Sequence, residues 1–306
     1  MHSHMIDKAF FELNPARSVI AIAGEDRADF LQGLISNDTR RIGDATAIYA
    51  ALLTPQGKFA YDLMLVGHAD RYLVDAESAR RADLLKRLKL FKLRSKVTLD
   101  DLDADFVVVN LFGGDALQRL GLATEPGAAR ALGNGLVFTD PRLAALGARA
   151  FLPRATAEQT LLDLGFTAAT TGEFQRLRFS LGVPEGSHDL IPDKSILLES
   201  GVDELNGVDW QKGCYMGQEL TARTKYRGLV RKRLLPVSIK GAVLAPGTIL
   251  TADGKEVGEI RTAEADRGLA LIRLEHLGIL TGKGVEVDGT HVTATVPAWV
   301  KLPEMA

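Results

Sequence analysis

The segment Trp210-Gln-Lys-Gly-Cys-Tyr-Met-Gly-Gln-Glu-Leu-Thr-Ala-Arg-Thr224 holds the single cysteine of the chain, Cys214, between two glycines and beside an aromatic residue. Cationic neighbours favour a thiolate over a thiol, so Lys212, Arg223 and Lys225 point to a reactive or metal-binding sulfur. The plainer alternative is a small buried hydrophobe, the usual state of a lone cysteine. A second candidate is Asp62 in Gly57-Lys-Phe-Ala-Tyr-Asp-Leu-Met64. A carboxylate there can orient a bound cofactor or move a proton, or it can sit on the solvated face of a hairpin strand. Two stretches are basic. Thr221 to Arg233 carries Arg223, Lys225, Arg227, Arg231, Lys232 and Arg233 around Tyr226, a pattern suited to phosphate or carboxylate groups or, more plainly, to a solvated strand edge leading into the C-terminal region. Arg80 to Lys96 has eight basic residues, but Leu84, Leu85, Leu88 and Phe91 lie among them at helical spacing, which predicts an amphipathic helix with a charged outer face. Glu185, His188, Asp189 and Asp193 lack the tight spacing of a metal site. His68, His276 and His291 belong to no nucleophile pattern, and no metal role is assigned to His2 or His4.

Composition narrows the choices. One cysteine excludes an internal disulfide and any self-contained site of two or more thiolates, so the chain alone cannot hold a conventional iron–sulfur cluster. A formal charge of −2 gives no overall pull toward nucleic acid or membranes. The apolar runs are too short for a membrane span, and the N-terminus lacks the plan of a secretory signal, so a cytoplasmic location without membrane partners is expected.

The elements that must position these residues are mixed. Ser18–Ala23 reads as a strand and Asp26 to Ile35 as a helix; Ala45 to Thr54 and Lys58 to Val66 form a hairpin around Pro55-Gln-Gly57. Tyr72–Asp75 is another strand, Glu77 to Leu90 a helix, and strands follow near Val97 and from Asp105 to Leu111. A helix from Thr170 to Leu181 ends at Gly182-Val-Pro184. Beyond Arg233, short strands separated by Pro246-Gly247, Ala252-Asp-Gly254 and Asp288-Gly289 predict a small antiparallel barrel or sandwich. The class is α+β. With 306 residues, about two domains are expected: 1–232, itself two interleaved subdomains with a break near 95–155, and a barrel at 233–306.

Lys212–Glu219 resembles the signature of the YgfZ-like folate-binding proteins, a group that includes a mitochondrial iron–sulfur assembly factor. Leu220-Thr-Ala-Arg-Thr224, Val230-Arg-Lys-Arg-Leu234, Phe30-Leu-Gln-Gly-Leu-Ile-Ser-Asn-Asp38, Leu53-Thr-Pro-Gln-Gly-Lys58 and Leu181-Gly-Val-Pro-Glu-Gly186 extend the match in family order. The resemblance implies an aminomethyltransferase-like folate-binding fold with a C-terminal antiparallel β-barrel. It also implies tetrahydrofolate as cofactor and help in making or maintaining four-iron, four-sulfur proteins, including tRNA-modifying enzymes. Cys214 and Asp62 are then the chemical groups, with Lys212, Gly213, Tyr215, Gly217, Gln218, Glu219, Arg178, Arg223 and Arg227 around the cofactor. Expected partners are iron–sulfur assembly proteins or client enzymes, a tRNA contact, and a cluster shared transiently through Cys214. The alternative is a tetrahydrofolate-dependent aminomethyl or methyl transferase or demethylase using Asp62. Against it, Cys214-Tyr215 stands where transferases resemble Asp-Phe, and Ser180 stands where they place a pterin-binding glutamate.

Overall fold

A computed structural model describes residues 8–228 and 230–303, so His2 and His4 lie outside the described residues. The chain divides into two discontinuous units: Met1–Leu52, Tyr61–Phe174 and Leu205–Met216 form the first, and Leu53–Ala60, Gln175–Glu204 and Gly217–Ala306 the second.

The first unit is built on two sheets. The six-stranded sheet runs, in spatial order, Thr167–Ala168, Ala9–Leu13, Phe106–Gly113, Ala148–Pro153, Gly135–Thr139 and Ala129–Leu132. Because successive side chains alternate between faces, Ala9 and Phe11, Val107, Val109 and Leu111, and Ala148, Ala150 and Leu152 share one face, where they pack with Leu161 and Phe166. The five-stranded sheet runs Ala47–Leu53, Phe59–His68, Arg71–Glu77, Arg17–Ala23 and Thr98–Asp101. Four of its strands are buried almost without interruption, whereas the edge strand Thr98–Asp101 is largely exposed. That pattern marks a sheet covered on both faces.

The predicted helix from Asp26 is shorter than its apolar spacing suggests, spanning Arg27–Gln32 and stopping at Gly33. Leu34 and Ile35 are buried just beyond it. The basic helix forms over Arg81–Lys92 with Leu84 and Leu88 buried.

In the second unit, six antiparallel strands follow the order Ile249–Ala252, Lys255–Glu264, Arg267–Arg273, Lys232–Lys240, Thr290–Ala294 and Val285–Val287. Leu235, Val237, Ile239, Leu250, Ile260, Ala270, Ile272 and Val292 fill the interior of this nearly closed barrel. Its hairpins carry Asp253-Gly254 and Asp288-Gly289 with positive φ at both residues, as tight two-residue turns require.

Candidate functional site

The Cys214 loop in the first unit is fixed by a receptor made from the segment that follows the Arg27–Gln32 helix. A helix end leaves carbonyls without partners, and Lys212 answers them: its Nζ donates to the carbonyl of Gln32 at 2.7 Å and of Ile35 at 2.5 Å. The same ammonium lies 5.1 Å from the centre of the Tyr215 ring. Gln32 returns the contact, its Nε2 donating to the Lys212 carbonyl at 3.1 Å and to Asp38 at 3.0 Å. The Met216 amide donates to the Gly33 carbonyl, and the Asp209 amide to the Ser36 carbonyl, both at 3.0 Å. Ser36 Oγ donates to the Gly207 carbonyl at 2.5 Å, and Asn37 Nδ2 to the Asn206 carbonyl at 2.8 Å.

Between these anchors the loop projects. Lys212 and Tyr215 are buried, whereas Gly213 and Cys214 are exposed. The thiol is therefore presented to solvent rather than packed as a small hydrophobe. Burial pulls the Lys212 ammonium down to about 8 against the opposing pull of Asp38 and Asp209. Its bonds to two carbonyls make it a clamp for the loop.

Asp62 has a different environment. It is 2% exposed, and Arg17 Nη1 donates to its Oδ1 at 2.8 Å. Arg17 Nε also donates to Asp75 at 2.5 Å, and Arg149 from the other sheet donates to the second Asp75 oxygen. Two arginines and two aspartates thus form a buried, charge-balanced cluster. Neither the solvated strand face nor an accessible carboxylate describes Asp62.

Several expected cofactor residues lie in the second unit. Arg178 is buried; it donates to Gln175 through Nε and Nη2, and through Nη1 to the Val183 carbonyl at 2.7 Å and Asp189 at 2.5 Å. Asp189 also accepts from the Glu185 amide at 2.8 Å and from Thr262 Oγ1 at 2.5 Å. Arg178 thereby organises the 183–189 loop. Ser180 is exposed, its hydroxyl turned back to the Leu177 carbonyl at 2.7 Å. Gly217 has φ +78°, and a Cβ there would lie 2.3 Å from the Thr54 carbonyl. This close approach docks the Leu53-Thr-Pro-Gln-Gly-Lys58 turn against the start of the helix Gln218–Tyr226. Glu219, Arg223 and Arg227 are exposed along that helix and its cap, Gln218 is half-buried, and Lys225 pairs with Asp203 at 3.0 Å.

The first unit also holds a cavity of about 580 Å³, lined by Phe11, Leu13, Val107, Asn14 and Arg17 among others. The Asn14 side chain is 9% exposed. Among the described residues, no group of three or more histidine, cysteine, aspartate or glutamate side chains is placed to hold a metal ion. The sequence reading missed Arg17, Asn14 and Gln32 as contributors; only Gln32 carried a signal, its place inside a quoted motif.

A family model for the CAF17 C-terminal β-barrel domain matches residues 231–302. The iron–sulfur cluster assembly factor IBA57, mitochondrial, of Mus musculus is 34% identical over 92% of this chain and 83% of its own length. The Homo sapiens protein of the same name is 34% identical over 95% and 85%. The Neurospora crassa homologue is 34% identical over 78% of this chain and 55% of its own. Among solved structures, the glycine cleavage system aminomethyltransferase T from Bartonella henselae superposes with a TM-score of 0.78 at 16% identity, covering 97% of this chain and 88% of that one. The expected aminomethyltransferase-like α+β fold with a C-terminal antiparallel barrel stands. The YgfZ-like label stays a resemblance to a related group. The expected cytoplasmic location is overturned by relatives named as mitochondrial.

Proposed function

Because the chain belongs to the IBA57 family of iron–sulfur cluster assembly factors, we propose that it serves the assembly or maintenance of four-iron, four-sulfur proteins, with Cys214 as the group that meets the cargo. The observation carrying this reading is an exposed thiol, the only one in the chain, on a loop clamped from below by Lys212. A cysteine thiolate is an iron ligand, and one ligand per chain requires the rest to come from a partner. Cys214 therefore holds one corner of a cluster shared with an assembly protein or client. Loss of the chain should lower the activity of a four-iron enzyme such as aconitase, and the wild-type chain should restore it. Full aconitase activity without the chain sinks the reading.

Tetrahydrofolate fits this chain only in part. Asp62 is held by Arg17, Arg178 is spent on Gln175, Val183 and Asp189, and Ser180 cannot give the bidentate acceptance of a carboxylate. The transferase manner of holding a pterin does not fit, and the transferase reading lacks its accessible carboxylate. The cavity beside Asn14, where Phe11, Leu13 and Val107 stand with Glu12, Asp103, Arg154 and Glu158, offers a heteroaromatic ring both apolar surface and polar partners. The exposed Arg223 and Arg227 suit an anionic glutamate tail or an RNA phosphate. A tRNA contact there predicts steeply salt-dependent binding that Arg223→Ala and Arg227→Ala weaken; no binding at low salt removes it.

A further inference from the structure

The last turn of the Arg81–Lys92 helix and the residues after it form a surface left uncovered among the described residues. Leu90 is 70% exposed and Leu93 is 88% exposed. Between Leu84 and Leu99 there is no acidic residue, while Lys86, Arg87, Lys89, Lys92, Arg94 and Lys96 supply six positive charges. Lys96 pairs with Glu25. Lys86, Lys89, Lys92 and Arg94 make no ion pair among the described residues. Leu93 has φ +44° and ψ −110°, a conformation that favours glycine, yet a leucine stands there and projects into solvent. Such strain with no internal contact in return is expected where a side chain serves something outside the fold.

This surface is tied to the Cys214 loop by one short element. The Lys96 amide donates to Asp26 at 2.7 Å at the start of the Arg27–Gln32 helix. Lys212 caps the carbonyl of Gln32 at its end. Six residues at a rise of about 1.5 Å each place the two anchor points roughly 9 Å apart along the helix axis. The segment that follows Leu90 and Leu93 and the base of the Cys214 loop are thus anchored at the two ends of one short helix.

We propose that Leu90 and Leu93, ringed by Lys86, Lys89, Lys92 and Arg94, form the docking surface for an acidic segment of the protein that shares the cluster with Cys214, a segment presenting apolar side chains between carboxylates. This rests on the reading of Cys214 as a cluster ligand, and it names the chemistry of the partner. Charge complementarity selects an acidic occupant. The opposite end of the helix carries Asp101 and Asp103 paired with Arg81, so the cationic face is bounded, which suits a short segment better than an extended anionic lipid surface.

The test titrates the full chain at low salt with a fluorescent peptide alternating glutamate pairs with leucines. A second peptide has serine in place of leucine, and vesicles contain equal parts phosphatidylglycerol and phosphatidylcholine. The leucine peptide should bind at least about tenfold tighter than the serine peptide, and Leu93→Gly and the pair Lys89→Glu, Lys92→Glu should each weaken it by about tenfold. Leu93→Gly relieves the backbone and removes no buried surface, so its melting temperature should equal or exceed that of wild type; this separates docking from folding. Absence of peptide binding, equal binding by the variants, or tighter binding to the vesicles than to the peptide overturns the proposal. Cys214→Ser should bind the peptide as wild type does even where it fails in cluster assembly. A fault in the thiol reading is therefore distinguishable from a fault in the docking surface.

Discussion

Asp62 and Cys214 lie in the same unit, and the fold treats them in opposite ways. Asp62, at the position that resembles a transferase carboxylate, is sealed beneath two sheets and neutralised by Arg17, which also holds Asp75 against Arg149. Cys214 is held up to solvent by a loop whose neighbours on either side, Lys212 and Tyr215, are turned inward. The contrast teaches that burial and pairing, not residue type, decide which of two chemically capable groups on one unit is left open to solvent.

The largest expected loss of stability comes from the buried cluster. Removing one partner leaves an uncompensated charge, so Asp62→Ala should destabilise the chain by about 3–5 kcal/mol in denaturant unfolding. If Asp62→Asn instead kept full stability and abolished a folate-dependent turnover, the contrast would break in favour of a transferase. Gly217→Ala comes next, at about 2 kcal/mol or more, because φ +78° and the Thr54 carbonyl 2.3 Å from the new Cβ act together.

Lys212→Met should cost about 1–2 kcal/mol at pH 7, since it strips donors from the Gln32 and Ile35 carbonyls. The pH dependence sharpens the point. With the folded value near 8 and the ordinary value 10.5, the folded state releases this proton first. Between those limits the unfolded chain binds more protons, so this residue makes stability rise with pH, by about 3 kcal/mol at most. The rise should vanish in Lys212→Met. Asn14→Leu should change stability by no more than about 1 kcal/mol while abolishing tetrahydrofolate binding in a calorimetric titration; retained affinity would remove the cavity from the folate account.

Much of this architecture was legible from local pattern. The short apolar run from Asp105 to Leu111 marked the strand Phe106–Gly113, and Asp253-Gly254 and Asp288-Gly289 announced the barrel hairpins. Cys214 was legible because it stands alone. What escaped was long-range pairing: Arg17 meets Asp62 across 45 positions, and Lys212 meets Gln32 across 180. Neither partner choice leaves a periodic trace. The solvated-face alternative for Asp62 fails because one hairpin shows a single sheet, whereas Asp62 is 2% exposed and bonded to Arg17, whose other partner Asp75 is held by Arg149 from the second sheet.

Cys214→Ser has the smallest expected effect on stability, within about 0.5 kcal/mol for an exposed side chain, and the largest on function. The decisive measurement is aconitase activity in cells lacking the chain and supplied with this variant, alongside its melting temperature. The account predicts a wild-type melting temperature with no rescue; rescue equal to wild type would contradict it.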